Sequence, residues 1–390
     1  MKYDVVVIGG GIAGVSAALS ASRQNKTVLL VEKSINLGGL ATSGLVTIYL
    51  PICDGEGHQV SFGIAEELLH LSIKMGSQRK YPKAWLENGT FEEKKQKRFE
   101  VQFNPVYFSL LMENLLIKNN VDITYETMVT DVVIKNNVLE KVIAESVEGK
   151  IQIVGDSYVD ASGDARLFYL SNDDTRLFEK GNILAAWYYY MNDKGLNLNM
   201  LGTVEKSDFM DETRHTDELL SNVHYKSENY LDINKFIIDS HQIMLTDIED
   251  RKKKDASFEA TLIPSMPQLR KIRSLVGKTI FKQDDQVYKE NSIGIISDWR
   301  RRGYVYEVPF SCLCSKTIKN VFAAGRCVSV DDEMWEITRA IPSCAITGEA
   351  AGIAASIFAE KGLIDFSDLY DRLKKVGQKL HISSLNIERR

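Results

Sequence analysis

The sequence predicts an α/β fold: a parallel sheet flanked by helices, with a β-meander beside it and an inserted α+β segment later in the chain. Three observations carry that prediction. A β-branched run, Val5-Val6-Val7-Ile8, breaks into Gly9-Gly10-Gly11-Ile12-Ala13-Gly14, and a small-residue helix then leads to a second apolar run, Val28-Leu29-Leu30-Val31. Short strands between Val121 and Val154 are punctuated by Asn136-Asn137 and Gly149. Near the other end, Val321-Phe322-Ala323-Ala324 reaches the turn Gly325-Arg326, and a helix from Ser343 to Ala359 carries a face of Gly348, Ala351, Gly352 and Ala355. Continuous apolar runs mark strands buried on both faces, and small helix faces permit close packing.

In the opening unit each glycine has a mechanical role. Gly9 lets the chain turn, Gly11 leaves room for a pyrophosphate, and Gly14 lets the helix approach the strand. The helix start then offers unpaired N–H groups and the positive end of its dipole to phosphates. Glu32, at the end of the second strand, is placed to accept hydrogen bonds from a ribose. Strand, glycines, helix, strand and acid in this order predict a dinucleotide site, and leave open which dinucleotide it takes.

After Glu32, Lys33 begins a loop to Gly38-Gly39-Leu40-Ala41-Thr42-Ser43-Gly44, where small residues allow backbone to approach a flat ring or a phosphate. Leu45 to Pro51 is expected as a short strand, Asp54 to His58 as a turn, and Ile64 to Leu71 as an amphipathic helix. Residues 79–97 lack periodicity and are expected as an irregular insertion. Asn104-Pro105 opens a helix through Leu116, and Asn136-Asn137 is expected as a hairpin turn within the meander. Tyr158 to Ala165 is expected as a buried strand running into a small-residue turn. From Arg176 to Gly303 the texture changes to aromatic strands, a polar passage from Lys206 to Asn229, and two helices around 233–245 and 247–254. The expected organisation is a discontinuous domain of 1–75, 104–175 and 305–362, a cap of 76–103 and 176–304, and a helical tail of 363–390.

Lys and Arg number 48 against 53 Asp and Glu, a formal charge of -5 that disfavours a nucleic-acid or anionic-membrane surface. The opening residues lack the apolar core of a secretory signal, and Ala345 to Ala359 is interrupted by Glu349 and too short to span a bilayer, so a cytoplasmic protein is expected. Five cysteines in no regular framework fit a reducing compartment, and Cys312 and Cys314 lack dithiol spacing. Cys53 beside Asp54-Gly55 has a reactive reading next to the plainer one of packing. The six histidines form no cluster at metal-ligand spacing, so no metal is expected.

Val321 to Arg326, followed by Asp331, Arg339 and Thr347-Gly348-Glu349-Ala350-Ala351-Gly352, joins the N-terminal glycines, Gly38-Gly39 and Val159 to Asp164 in a combination that resembles a known family. It is similar to the FAD-dependent oxidoreductases of the glutathione-reductase-like superfamily with two dinucleotide-binding domains, and distantly to fumarate reductase flavoproteins. The resemblance implies a Rossmann-like FAD-binding domain with parallel sheet and β-meander, plus an inserted α+β substrate domain. It implies FAD as cofactor, with Gly9, Gly11, Ile12, Ala13, Gly14, Glu32 and Lys33 holding the ADP half. Gly38, Gly39, Leu40 and Ala41 would lie by the pyrophosphate and flavin, Met128 and Val129 at the adenine, and Ala161, Ser162 and Gly163 over the ADP moiety. Gly325 and Arg326 would meet the ribityl and pyrophosphate, and the helix bearing Gly348 would aim its N-terminus at the flavin pyrimidine. The group's arginine-rich segment is matched here by Arg270, Arg273 and Gly277, with departures at Gln268, Lys271 and Ile272.

The expected chemistry is hydride transfer between flavin N5 and a small organic substrate, with a separate electron donor or acceptor as a further partner. Asp54, His58, Arg270, Arg273, Tyr304, Tyr306 and Arg339 are candidates for the substrate side, and His58, Arg270 and Arg273 head the catalytic list. Arg339 and Arg273 have the fork that suits a carboxylate. A flavin monooxygenase and a flavin-fold binding protein without catalysis are the alternatives. No second Gly-x-Gly-x-x-Gly follows a strand, so a separate nicotinamide domain is not expected.

Overall fold

Burial of the first apolar run on both faces makes Lys2–Ile8 the axis of the sheet. It pairs in parallel with Val28–Val31 on one side, Val5 opposite Val28, and with Gly149–Asp160 on the other, Ile8 opposite Asp160. The computed structural model describes residues 2–202, 209–211, 219–283, 288–385 and 387. Across the seven-stranded sheet the order is Val121–Thr124, Val28–Val31, Lys2–Ile8, Gly149–Asp160, Val138–Ser146 and Met128–Lys135. Val321–Ala323 adds to the far half of Gly149–Asp160, with Val321 opposite Tyr158.

That 12-residue strand serves two sets of neighbours in turn. Its first half runs antiparallel to Val138–Ser146 and completes the meander, while its second half is parallel to Lys2–Ile8 and Val321–Ala323. The sequence suggested two separate strands here; Gly155 and Ser157 stay extended because Tyr3 and Val5 pair with them. The Asn136-Asn137 turn has φ of +52° and +63°, the left-handed pair that a tight hairpin needs.

Helix Ile12–Arg23 and the closing helix Ile341–Lys361 both pack on the sheet and against each other. A Cβ on Gly348 would stand 2.2 Å from the Ala13 carbonyl oxygen, and one on Gly352 would stand 2.2 Å from that of Ala17. The closing helix is long and apolar enough to cross a bilayer by length and composition, and it is buried almost throughout within the protein as its core helix.

The inserted part contributes a sheet of Gly195–Leu201, Ala186–Asn192 and Glu259–Leu262, backed by helix Tyr230–Lys254. One 25-residue helix replaces the two expected: the Asn229 side chain accepts from Leu231 and Asp232 N–H at its start, and no glycine or proline interrupts the run to Lys254. The expected polar passage of 206–229 falls partly on residues 203–208 and 212–218, which lie outside the described residues.

Core packing ties parts of the expected cap and tail to the main core. Leu275, Phe281, Ile293 and Ile296, expected in the cap, belong to the main hydrophobic core, and Arg273–Leu275 pairs with Thr175–Leu177. Phe99, Val101 and Phe103 of the insertion join the same core, and Val101–Gln102 pairs with Ile48–Tyr49, all that forms of the strand expected over Leu45 to Pro51. Short helices Lys83–Leu86 and Phe91–Gln96 occupy the stretch expected to be irregular. Leu369, Leu373 and Leu380 bury the expected tail against that core as well.

Candidate active site

Where the parallel strands end, the loops beyond them line a cleft. Ligands in open α/β sheets bind outside the carboxyl ends of the strands, and this cleft occupies that place. Gly9, Gly11, Ile12 and Ala13 line it, as do Glu32 and Lys33, the loop Gly38 to Ala41, Met128 and Val129, Ala161 to Gly163, and Gly325 with Arg326. Of the expected cofactor residues, Gly14 and Gly348 stand outside it. Both are packing positions: a Cβ on Gly14 would lie 1.7 Å from the Gly9 carbonyl oxygen, and Gly348 meets Ala13. Gly348, expected at the cofactor, packs against helix Ile12–Arg23 in this structure.

The turn depends on Gly9, whose φ of +99° is left-handed and whose added Cβ would approach the Ala161 carbonyl oxygen to 2.5 Å. Gly11 differs: an added Cβ meets nothing within 4 Å, so it would fill the cleft itself. Gly38 N–H donates to the Gly10 carbonyl at 2.8 Å, which fastens the second glycine loop beside the first.

Glu32 is buried, and its two oxygens accept backbone N–H groups, Oε2 from Gly10 at 2.6 Å and Oε1 from Ser34 at 2.8 Å. Across the cleft, fully buried Asp160 organises the Ala161–Gly163 turn. Its Oδ1 accepts from the Ser162 hydroxyl at 2.6 Å and its Oδ2 from Leu167 N–H at 2.7 Å. Burial pushes its carboxyl up to about 6, partly offset by these donors. Cys327 Sγ accepts from the N–H groups of Gly163 and Ala165 beneath the same turn.

At the far end the cleft is lined by Met266, Arg326, Arg339, Ile341 and Cys344. Ser265 and Met266 N–H both donate to the Ser43 carbonyl, and the Gln268 side chain donates to Gly44, so the inserted segment closes onto the glycine loop. Arg326 straps it further: Nη1 donates to the Leu269 carbonyl at 2.6 Å, while the guanidinium lies against Gly163. Burial lowers the pKa of Arg326 from its ordinary value.

The three leading catalytic candidates fall outside the cleft lining. His58 Nδ1 sits 2.8 Å from buried Asp54 Oδ2, and its ring packs 5.2 Å from Phe91 of the insertion. Arg270 lies 5.4 Å over the Trp187 ring behind the cleft wall, and Arg273 lies 4.0 Å over Tyr169 with Nη1 donating to the Asp164 carbonyl at 3.4 Å. Arg301 covers Tyr304 and donates to the Tyr306 hydroxyl, and neither tyrosine lines the cleft. Arg339 alone of the seven candidates lines the cleft. Sequence reasoning passed over Thr127, Asp164, Arg166, Met266, Ile341 and Cys344. Asp164 and Arg166 adjoin a turn already recognised, whereas nothing local marks Met266. All five cysteines are buried free thiols; burial pushes Cys53 up to about 11 and Cys344 up to about 12, so neither supplies a thiolate near neutral pH.

A family model described as FAD dependent oxidoreductase matches residues 4–230 and 269–380. The chain belongs to that family. Its α/β fold with a mainly parallel sheet is Rossmann-like. Among curated proteins it is 36% identical over 73 residues to a thioredoxin reductase of Ureaplasma parvum serovar 3, covering 19% of this chain and 24% of that one. It is 31% identical over 146 residues to the tRNA uridine 5-carboxymethylaminomethyl modification enzyme MnmG of Aquifex aeolicus, covering 35% of this chain and 21% of that one. The chain thus matches a quarter or less of these relatives' lengths. Similar solved structures include a geranylgeranyl bacteriochlorophyll reductase-like protein from Thermoplasma acidophilum, at 12% identity and TM-score 0.49 over 96% of this chain and 83% of that one. Another is p-nitrophenol 4-monooxygenase PnpA from Pseudomonas putida DLL-E4, at 10% identity and TM-score 0.48 over 96% and 84%.

The cleft fits the cofactor. The open space at Gly11 suits a pyrophosphate approaching backbone, the N-terminus of helix Ile12–Arg23 faces it, and the wall beyond is apolar at Leu40, Ala41, Met266 and Ile341.

Proposed function

We propose that the protein transfers a hydride between the flavin and a small organic substrate, bound where the inserted segment meets the Arg339 end of the cleft. When bound, the flavin supplies a two-electron centre that exchanges hydride at N5. The observation that carries the reading is Met266: a residue of the insertion lines the same cleft as Gly9 and Gly11, so the segment roofs the reacting end. The bonds of Ser265, Met266 and Gln268 to Ser43 and Gly44 hold that roof down, and Arg326 holds its continuation at Leu269. A dry, fixed wall strengthens the electrostatics within and keeps water from the reacting atoms. The buried, protonated thiols favour direct exchange with the substrate over a relay through a disulfide. His58, Arg270 and Arg273 act here as structural or supporting groups and not as residues that touch the reacting atoms.

The test is an anaerobic screen of the flavin-loaded protein against alcohols, amines, hydroxy acids and unsaturated acids, read by the visible absorbance. Bleaching by one class, with an oxidised product in matching amount, is expected; for an unsaturated acid the dithionite-reduced protein would regain its colour. A protein that binds such compounds without any colour change in either direction would be a binding protein without catalysis.

A further inference from the structure

Arg339 follows helix Asp332–Thr338 and precedes the closing helix, and its guanidinium lies 5.9 Å over the Trp299 ring with one edge tied to Glu336. Nε donates to Glu336 Oε2 at 2.8 Å, and Nη2 bonds the same oxygen. Among the described residues Nη1 meets no acceptor, and the side chain lines the cleft. The other Glu336 oxygen takes Lys271 Nζ at 2.5 Å, so two cations share one carboxylate. Burial opposes ionisation of Glu336, yet Arg339 and Lys271 together hold its carboxyl well below the usual carboxylate range. A third cation, Arg270, is buried beside them; burial, with the Arg339 charge added, lowers its pKa to about 9. Arg270, Lys271 and Arg339 are thus gathered around Glu336.

These cations are fixed in place before any ligand arrives. Asn182 Oδ1 accepts from the N–H groups of Arg270 at 2.8 Å and Lys271 at 3.0 Å, and its Nδ2 donates to the Lys271 carbonyl at 2.6 Å. Arg326 holds the preceding carbonyl of Leu269. A guanidinium with one edge tied to a carboxylate and a nitrogen left facing a cleft is prepared for a second anion, and its planar fork matches a carboxylate.

We propose that the reacting molecule carries a carboxylate, received by Nη1 of Arg339, with Arg270 adding positive potential and with Glu336 and Lys271 as positioning residues. The inference rests on the hydride-transfer reading, which supplies the substrate. The same cations could instead serve a negative charge on the reduced flavin, and the test separates the two.

The oxidised, flavin-loaded protein is titrated with benzoate and succinate, and in parallel with benzamide and succinamide, at matched ionic strength. The readout is the shift of the visible flavin absorbance. Saturable shifts with the carboxylates and none with the amides are expected. Arg339→Gln is expected to weaken carboxylate binding at least roughly tenfold, as fits loss of a charged hydrogen bond, and Arg339→Lys to restore some of it. Wild-type protein that responds equally to acids and amides, or to neither, overturns the proposal, and this comparison does not depend on the variants folding. So does an Arg339→Gln protein that binds benzoate as the wild type does but has a lowered flavin reduction potential, since the cations would then serve the flavin. The titration needs no turnover, so its failure is distinct from a failure to find bleaching.

Discussion

The Gly10 N–H donates to Glu32 Oε2 across 2.6 Å, so the acid at the end of the second strand also ties down the glycine turn at the end of the first. Its second oxygen takes Ser34 N–H at 2.8 Å. One carboxylate thereby joins two loops, and it does so before any ribose is bound. Replacing Glu32 by Ala leaves the buried Gly10 donor unsatisfied, which costs on the order of 1–3 kcal/mol. Urea unfolding of the flavin-free protein should register that loss, and FAD titration should show weaker binding as well. Unchanged flavin-free stability with reduced affinity alone would assign Glu32 to the ribose only.

Gly11 and Gly348 should separate cofactor binding from folding. Gly11 has φ of -67° at the helix N-cap, an ordinary conformation, and a Cβ there collides with nothing in the protein. Gly11→Ala is therefore expected to keep stability within about 1 kcal/mol while greatly weakening FAD binding. Gly348→Ala drives a methyl into the Ala13 carbonyl oxygen and must push the closing helix away from helix Ile12–Arg23, with an expected loss of about 1–3 kcal/mol typical of overpacking. Thermal unfolding and flavin titration of both variants check the contrast. Equal effects of the two changes on stability would refute it.

The difference between what was legible in the sequence and what was not tracks the range of the constraint. At Gly9 the need for a left-handed φ and for clearance from a neighbouring carbonyl is local enough to mark the chain, and the strands before and after that turn are simple apolar runs. Met266 carries no such mark, because its place depends on the Ser43 carbonyl more than two hundred residues earlier. His58 stands outside the cleft for a related reason. It follows the glycine loop closely in sequence, but the Ile52 N–H pairs with the Phe99 carbonyl and the His58 ring packs against Phe91 of the insertion. The expected cap boundary follows a change of texture near Arg176 and Gly303, whereas the core admits Leu275, Phe281, Ile293 and Ile296 through tertiary packing that composition does not encode.

Glu349 gives a pH dependence. Its carboxyl is buried on the closing helix, where Oε2 accepts from Ile64 N–H at 3.0 Å and from Gln378 Nε2 at 2.6 Å; Arg23 and Glu67 are the charged groups facing it. Burial pushes it up to about 7 from an ordinary 4.5, with Gln378 and Ile64 working against the shift. The folded state thus holds this proton more tightly than the unfolded chain does. Stability from this group is complete below about pH 4.5 and is lost as pH rises toward 7, by on the order of 3 kcal/mol. Glu349→Gln keeps an acceptor for both donors and has nothing to ionise. Denaturation midpoints from pH 5 to 8 should fall more steeply for the wild type than for this variant. Parallel curves would show that Glu349 titrates near its ordinary value.

Arg326 links the roof of the cleft to its floor. Its Nη1 holds the Leu269 carbonyl at 2.6 Å and the Arg270 carbonyl at 3.3 Å, and its own carbonyl accepts from the Trp335 indole at 3.1 Å. Shortening it to a methionine removes a charged hydrogen bond, about 1.5–3 kcal/mol, from a segment otherwise fixed by Asn182 and by the bonds to Ser43 and Gly44. Arg326→Met should therefore fold and still take up flavin, with faster amide hydrogen exchange confined to about residues 265–273. On the proposed reading, in which this segment covers the flavin, the flavin fluorescence of the variant should also become more accessible to iodide quenching. Both changes are expected together. Exchange that is unchanged in the roof but faster in the Ala161–Gly163 turn would instead make the contact with Gly163 the one that matters, and Arg326 would then be a support of the nucleotide end alone.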